Sequence, residues 1–582
     1  MRIRVALVVL VGLALAATGC SNVPGSSRPQ VIKSMGPAAQ PPLPLITPPA
    51  GVDPATIVSQ FLSLNVDTRD DKHQAAKQFL TPQAQTRWSD KTATVVSGYS
   101  VSPMDAKTRT VTVNVVKVGQ LAANGIYTSV VQDQGTGAET VPLSYAMTKV
   151  NGQWRIEQPA PGLVVRESDM SSSLATAYQL RALYFFDLSG KHLVADPRYS
   201  PLTGQALANW LLAQFIAGPR QELANAVLPL PDQVNGRAVS VVVSGALTSV
   251  EIPGASALDH DSLRRLAAQL ANTFAVEISD SITQITDGGH PVAVPGVGAA
   301  FTVSDFAPAQ GSLSGPPVWF LNGQGVIVDG DTGLAVEGPL GEQPIGLTSI
   351  AVGRNGSSED YRVAGTVGPA DGARLLVGTF ATGLRDSGLP PGPLGRPAWL
   401  SEAGEVWVGD GPYLIRVPSD EPPVTVPLTM PVGEVTAIKA VRFSADGVRV
   451  ALVLAAGGSS MCYVGVIERG GSSVRVDNLV PVTPASVTVT DVDWNDVTTL
   501  YVAGDGPGAF SVWQVQSDGS AWTDRQAGGL PATPDSITVA WQAPAWVSAD
   551  GWVYTQSRAS WQSPPFQPEN IQVRGASPAY LK

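Results

Sequence analysis

Cysteine, histidine and charge are all scarce in this chain. Its 582 residues include two cysteines, Cys20 and Cys462, and four histidines, His73, His192, His260 and His290. Stability must therefore come from buried area, and a chain of this length has enough for several domains. None of the histidines stands in an H-E-x-x-H or Cys/His metal spacing, and the chain has no G-x-S-x-G elbow and no Walker A loop. Charged residues make up 15% of the sequence, well under the ~25% of average proteins. The net charge of −11 and pI of about 4.9 give a surface that repels nucleic-acid phosphates, and no basic patch offsets it. Beyond Cys20 no run of ~18 apolar residues occurs, so no second segment is expected to span a bilayer.

What is present begins at the N-terminus. Arg2 and Arg4 precede an apolar run from Val5 to Ala17. At about 13 residues it suits the core of a signal peptide and falls short of the ~20 of a spanning helix. Thr18 and Gly19 follow, then Cys20. Small residues let a peptidase hold the chain extended, and a thiol at the first mature position is what a lipid-transferring enzyme modifies. The stretch resembles a bacterial lipoprotein signal with "ATGC" as its lipobox, although Ala17 replaces the commoner Leu. That resemblance implies a signal peptide at 1–19 and an S-diacylglyceryl, N-acylated (N-palmitoyl) cysteine at Cys20. Two or three acyl chains make a stable anchor where one is marginal. Residues 20–51 are too rich in proline for helix or sheet and read as a semi-rigid tether. At ~3.1 Å per residue it reaches on the order of 90 Å.

Ordered structure is expected from 52. In "DPATIVSQFLSL", Ile57, Phe61 and Leu64 fall at helical spacing behind a capping Asp53 and Pro54. "KHQAAKQFL" and "TPQAQTRW" extend the helical part. Period-two segments follow: "TRTVTVNVVKV", "IYTSVVQ", "VPLSYAMTK" and "QWRIEQ". Helices before a curved sheet over 52–165 resemble the nuclear-transport-factor-like cone, in which His73 reads as a solvated helix residue. Residues 178–296 form a second α+β module with a strand in "RALYFFDL" and a helix carrying Leu207, Trp210, Leu211 and Phe215 on one face. Two strands and a helix opening at "DHDSLRRL" complete it. "LYFFDLSGKHLVAD" and "LLAQFIAGPRQELANAVLPLP" resemble the GerMN domain, which implies binding rather than chemistry.

From 301 to 582 the texture is strand and turn. Six units repeat, anchored at Trp319, Val352, Trp399, Phe443, Trp494 and Trp546. Glycine fills the following turn at Gly323, Gly356, Gly404, Gly447 and Gly551. The anchors recur at roughly 33 to 52 residues, which brackets propeller blades. A blade cannot bury both faces alone, whereas a ring of blades can. The expectation is a β-propeller of about six blades, closed by pairing of residues 301–316 with the C-terminal strands.

The combination of lipobox, proline-rich tether, α+β module, GerMN-like domain and propeller resembles the actinobacterial LpqB lipoprotein family. The resemblance implies a place on the outer face of the cytoplasmic membrane. It also implies association with the extracellular region of the MtrB sensor histidine kinase, and so with MtrA–MtrB signalling in envelope homeostasis and division.

No catalytic, metal or cofactor site is assigned from the sequence. "GDGPGA" from Gly504 matches a dinucleotide fingerprint but precedes a strand, so it reads as a hairpin turn. "DGDTG" (Asp329, Asp331) and "DVDWN" (Asp491, Asp493, Asn495) place Leu340 and Val502 where a calcium loop needs glutamate, so both read as blade turns. Asp259 and Asp261 beside His260 read as helix caps, and Cys462 as a core thiol. A non-enzymatic anchored partner is the expectation. The alternative is an envelope enzyme or glycan-binding protein that uses carboxylates in the propeller channel, which holds no histidine.

Overall fold

In the computed structural model the described residues are 48, 50–66, 73–130, 140–171, 178–234, 238–275, 281–306, 315–419, 421–430, 434–470, 473–507, 509–525, 530–557, 560–564, 566 and 573–582. The signal peptide, Cys20 and nearly all of the tether lie outside them.

The first module opens where its cap predicts. The Asp53 carboxylate accepts from the amides of Ala55 (3.0 Å) and Thr56 (3.1 Å), and α1 runs Pro54–Asn65. It lays Ile57, Val58, Phe61 and Leu62 on the sheet, all almost completely buried. The second expected helix shrinks to one turn, α2 (Gln74–Lys77), and Thr81 caps α3 (Pro82–Arg87). The sheet contains β1 (Ala93–Val101), β2 (Thr110–Leu121), β3 (Tyr127–Ser129), β4 (Thr140–Val150), β5 (Gln153–Gln158) and β6 (Leu163–Arg166), in the order β5-β4-β2-β1-β6 with β3 on β2. Register shifts between Val95 and Gly98 bend β1 against β2 and curve the sheet around α1.

A hairpin of β7 (Gln179–Phe186) and β8 (Leu193–Ser200) joins the first two modules. Tyr178 and Tyr199 enter the first core, whereas Leu183, Phe185 and Val194 enter the second. There they meet Leu207, Leu211 and Phe215 of α4 (Gly204–Ala217), with Phe185 stacked on Phe215 at 5.5 Å. Strands β9 (Ser240–Ser244), β10 (Leu247–Glu251), β11 (Ile282–Asp287) and β12 (His290–Pro291) form a sheet in the order β12-β11-β10-β9. The parallel β10–β11 pair is linked by α5 (His260–Phe274), whose Leu263, Leu266 and Leu270 are buried. The expected domain start at 301 shifts. Phe301 exchanges both backbone hydrogen bonds with Thr283 (2.7 and 2.9 Å) and packs into this second core.

The ring begins at Val318. Its first sheet holds Val318–Leu321, Ile327–Asp329 and the C-terminal Ala576–Tyr580. Four four-stranded sheets follow, and a sixth holds 536–538, 546–549, 552–557 and 560–562 with 573–574 added. The innermost strands touch in turn, and Ala576–Tyr580 contacts both Leu347–Asn355 and Ser536–Thr538, so the ring closes. This is a six-bladed propeller. The C-terminal strand pairs with Val318–Leu321, and Phe301, at the start of the segment expected to close the ring, is paired with Thr283 instead.

Packing shows why the blades need one another. Six apolar clusters fill the ring, and each draws its side chains from two adjacent blades. Along one strand Leu452 faces one neighbour while Ala451 and Val453 face the other, as the two-residue period of a strand requires. Among the described residues no blade has a private core, so burial is complete only when the ring closes.

Candidate functional site

The innermost strands bring charge to the propeller axis. On Thr488–Trp494 the two-residue period turns Asp491 and Asp493 inward, where both are buried. Asp491 Oδ2 meets Arg396 Nε at 3.3 Å and Arg442 Nη2 at 3.2 Å, and accepts from the Ile537 amide at 3.1 Å. Asp493 Oδ2 lies 3.1 Å from Lys582 Nζ and accepts from Thr538 Oγ1 (2.9 Å) and the Val539 amide (3.0 Å). Arg396 also donates to Ser577 Oγ at 2.7 Å, and the same oxygen accepts from the Ile350 amide at 2.9 Å. Ser577 holds a left-handed backbone (φ 51°) although it carries a side chain, a conformation that persists only where surroundings over-determine it. One network thus links all six blades: Ser577 and Lys582 from the first, Ile350, Arg396, Arg442 and Asp491/Asp493 from the next four, and Ile537–Val539 from the sixth.

The two carboxylates are the convergent acids that an enzyme reading of the channel would require. Each already has a cation at ion-pair distance and accepts from a backbone amide through Oδ2, and the second oxygen of Asp491 is buried with no hydrogen-bond partner among the described residues. A general acid or base needs a free lone pair toward substrate and a poised proton affinity. This arrangement fixes geometry instead. Burying such charges is costly unless both partners are present, and here the cations lie 3.1–3.3 Å from the carboxylates.

A second polar cluster holds the ring to the other modules. Val448 and Val466 of the fourth blade enter the core of the second module. Arg449 pairs with Asp446 (3.3 Å) and donates to the Ala195 carbonyl. Tyr199 and Ser520 share a hydroxyl hydrogen bond of 2.7 Å, and the Trp522 amide donates to Glu167 at 3.2 Å. Burial pushes the Asp518 carboxyl above its ordinary range, against the opposing charge of Arg220. His192 lies between Asp187 (3.6 Å) and Glu402 of the third blade (3.7 Å). Hydrogen bonding to Asp187 raises the His192 pKa. Asp187 is itself held well below the carboxylate range by His192, Ser189 and backbone donors, which outweigh its desolvation.

The residues singled out from sequence are dispersed. His73 is not a solvated helix residue: it sits in a left-handed turn, its ring edge-on to Trp88 at 5.8 Å and its Nε2 3.8 Å from Asp90. His260 and His290 line a shallow cleft of the second module beside Asp287, whose carboxylate already accepts from Gly254 and Ser256. Asp259 caps α5 through the Ser262 amide (2.9 Å). Cys462 is buried, and burial holds its thiol far above its ordinary pKa. Gly504 lies on a hairpin strand, and Asp329 closes an Asx turn onto Asp331 and Thr332 (3.1 and 2.8 Å). Asp491 and Asp493 correct the turn reading: they belong to an inner strand, and the turn belongs to Asn495 and Asp496. Sequence reasoning passed over Arg396, Arg442 and Lys582. Only Arg442 lies on a strand, Val435–Phe443, where its charge among apolar residues was the available signal; Arg396 precedes the strand Ala398–Leu400 and Lys582 follows Ala576–Tyr580.

Comparison with known proteins gives matches at both ends of the chain. Residues 47–171 match the family model described as the N-terminal domain of lipoprotein LpqB, and residues 323–573 match its beta-propeller domain. A curated relative named Lipoprotein LpqB from Rhodococcus opacus (strain B4) is 29% identical over 542 residues, covering 89% of this chain and 87% of its own. One of the same name from Nocardia farcinica (strain IFM 10152) is 28% identical over 570 residues, 91% of this chain and 89% of its own. Among solved structures, the tandem GerMN domains of the sporulation protein GerM from Bacillus subtilis align at 15% identity with a TM-score of 0.18, over 26% of this chain and 60% of that one. Two domain models of one family, with relatives aligned along most of the length, lead to a single conclusion: the chain belongs to the actinobacterial LpqB lipoprotein family.

Proposed function

We propose that this chain is a lipid-anchored protein of the outer face of the cytoplasmic membrane, that it serves as accessory partner to a sensor histidine kinase of the MtrB type, and that it has no catalytic turnover. The observation that carries the reading is the propeller axis. The acids that converge there, Asp491 and Asp493, are engaged by Arg396, Arg442 and Lys582 in inter-blade contacts. A channel neutralised this way suits a rigid presenting body better than a reaction centre. The relatives' name, Lipoprotein LpqB, supports the anchor. The kinase partner rests on the family resemblance.

Anchoring gives the reading its energetics. A lipid on Cys20 and a tether reaching on the order of 90 Å confine the modules to a thin layer. Confinement raises effective concentration toward other membrane proteins to about the millimolar range, so a weak interface suffices. The test is co-purification of the anchored chain with the kinase's extracellular region from membranes, in parallel with a Cys20→Ser chain. The anchored chain should retain the kinase and incorporate a fatty-acid probe; Cys20→Ser should do neither at native expression. Absence of kinase from the anchored sample refutes the partner, and label on Cys20→Ser refutes the anchor.

A further inference from the structure

We infer that a cleft between the first and second blades binds a cationic side chain, an arginine of a basic segment of a partner protein. The cleft is open to solvent and offers about 570 Å³, inside the roughly 300–1,000 Å³ of ligand sites. Its walls are aromatic. The ring of Trp319 lies 5.6 Å from that of Tyr361, edge-on, and 5.2 Å from that of Phe380. Its remaining side chains include three carboxylates, Glu337, Glu359 and Asp360, and neither lysine nor arginine lines it. Asp360 is held in place, since one of its oxygens accepts from the Ala381 amide at 2.9 Å. Glu337 and Glu359 are exposed at the rim.

These features point to one class of ligand. Aromatic faces attract a cation through the ring quadrupole, and a guanidinium can also stack on them. Three carboxylates with no lysine or arginine among the lining residues leave the cleft negative, and the chain's net charge of −11 adds a long-range field of the same sign. An anionic or purely apolar ligand would lose on both counts. An ammonium alone could use the rings, but it could not take a carboxylate in the bidentate manner of arginine. The ligand class follows from this lining alone and does not depend on the kinase reading.

The experiment titrates the full chain in detergent with a fluorescein-labelled peptide, Gly-Ser-Arg-Arg-Ser-Gly, against a Gly-Ser-Gln-Gln-Ser-Gly control. The arginine peptide should bind saturably and weaken as salt rises, while the glutamine peptide should not bind. Glu337→Gln with Glu359→Gln, both exposed and tolerable to the fold, should weaken binding about tenfold. Tyr361→Ala should weaken it by a similar factor while thermal denaturation still shows a folded ring. Equal binding of the two peptides overturns the proposal, as does unchanged affinity in the double glutamine variant. Binding of tetramethylammonium without the arginine peptide also overturns it, by assigning the cleft to a small cation. Loss of kinase association with peptide binding intact would refute only the kinase partner.

Discussion

Asp491→Ala is the most informative perturbation of the propeller axis. The carboxylate is fully buried, and its removal leaves Arg396 and Arg442 facing each other with 18% and 12% of their side chains exposed. It also strands the Ile537 amide, which donates to Asp491 at 3.1 Å. Breaking one member of a buried pair costs about 3–5 kcal/mol, much of it the penalty for the unpaired partners. For a ring of this size each kcal/mol lowers Tm by roughly 2–4 °C, so the melting temperature should fall by about 6–20 °C. The companion variant replaces the triad with apolar residues, Asp491→Leu with Arg396→Met and Arg442→Met. Such replacements are often neutral, so this variant should recover most of the loss. Calorimetry on wild type, Asp491→Ala, the triple variant and the two single arginine variants is the assay. A Tm for Asp491→Ala within about 2 °C of wild type would refute the claim that this network ties the blades together. Equal damage in Arg396→Met, Arg442→Met and the triple variant, without coupling, would refute its ionic character.

Ending the chain after Gly575 removes Ala576–Tyr580, with Ala579 and Leu581 lost from one inter-blade core and Tyr580 from another. The ring should lose cooperative melting and resistance to limited proteolysis; an unchanged melting curve contradicts closure at this seam. His192→Gln tests the contact between the second module and the third blade. The raised His192 pKa contributes stability below its unfolded value of 6.5 that disappears as pH rises through the folded value. The lowered Asp187 pKa contributes stability above 3.8 that is lost on acidification. The Tm difference between wild type and His192→Gln should be largest between about pH 4 and pH 6.5 and vanish in alkali; a difference independent of pH removes the ionic explanation. Arg449→Met leaves Asp446 buried without its partner and breaks the bond to the Ala195 carbonyl. It should cost about 3 kcal/mol and expose the 195–200 segment to hydrogen exchange; unaltered exchange there would show that the modules do not rely on this contact.

Local chemistry in the chain was sufficient to mark the elements. Asp53 and Asp259 are caps because a short carboxylate before a helical stripe satisfies amides that have no other partner, and that depends on a few adjacent residues. The change from helical to alternating periodicity places the sheet of the first module, and the recurring aromatic anchors give the ring and its six blades. The repeat nevertheless slid by one strand in two places. Val352, Trp399, Phe443 and Trp494 lie on innermost strands, whereas Trp319 and Trp546 lie on the second. In the first of these the innermost strand comes from the far end of the chain, and in the other a short strand, Ser536–Thr538, precedes the anchor. Gly325 rather than Gly323 takes the left-handed turn conformation for the same local reason, since the hairpin register places the turn two residues later.

Only the tertiary structure decided the rest. Asp491 and Asp493 looked like turn residues because a pair of acids two apart in a short segment is consistent with a loop or with one face of a strand. The choice depends on Arg396, Arg442 and Lys582, which are distant in sequence and meet at the axis only when the ring closes. The same holds for Phe301, whose partner Thr283 lies across the second module, and for the cleft of Trp319, Tyr361 and Phe380, which two different blades assemble. Sequence alone determined the elements because capping and periodicity act within a few residues. The network, the boundary and the cleft required the fold because charge pairing and aromatic packing act through space, between residues that the chain separates.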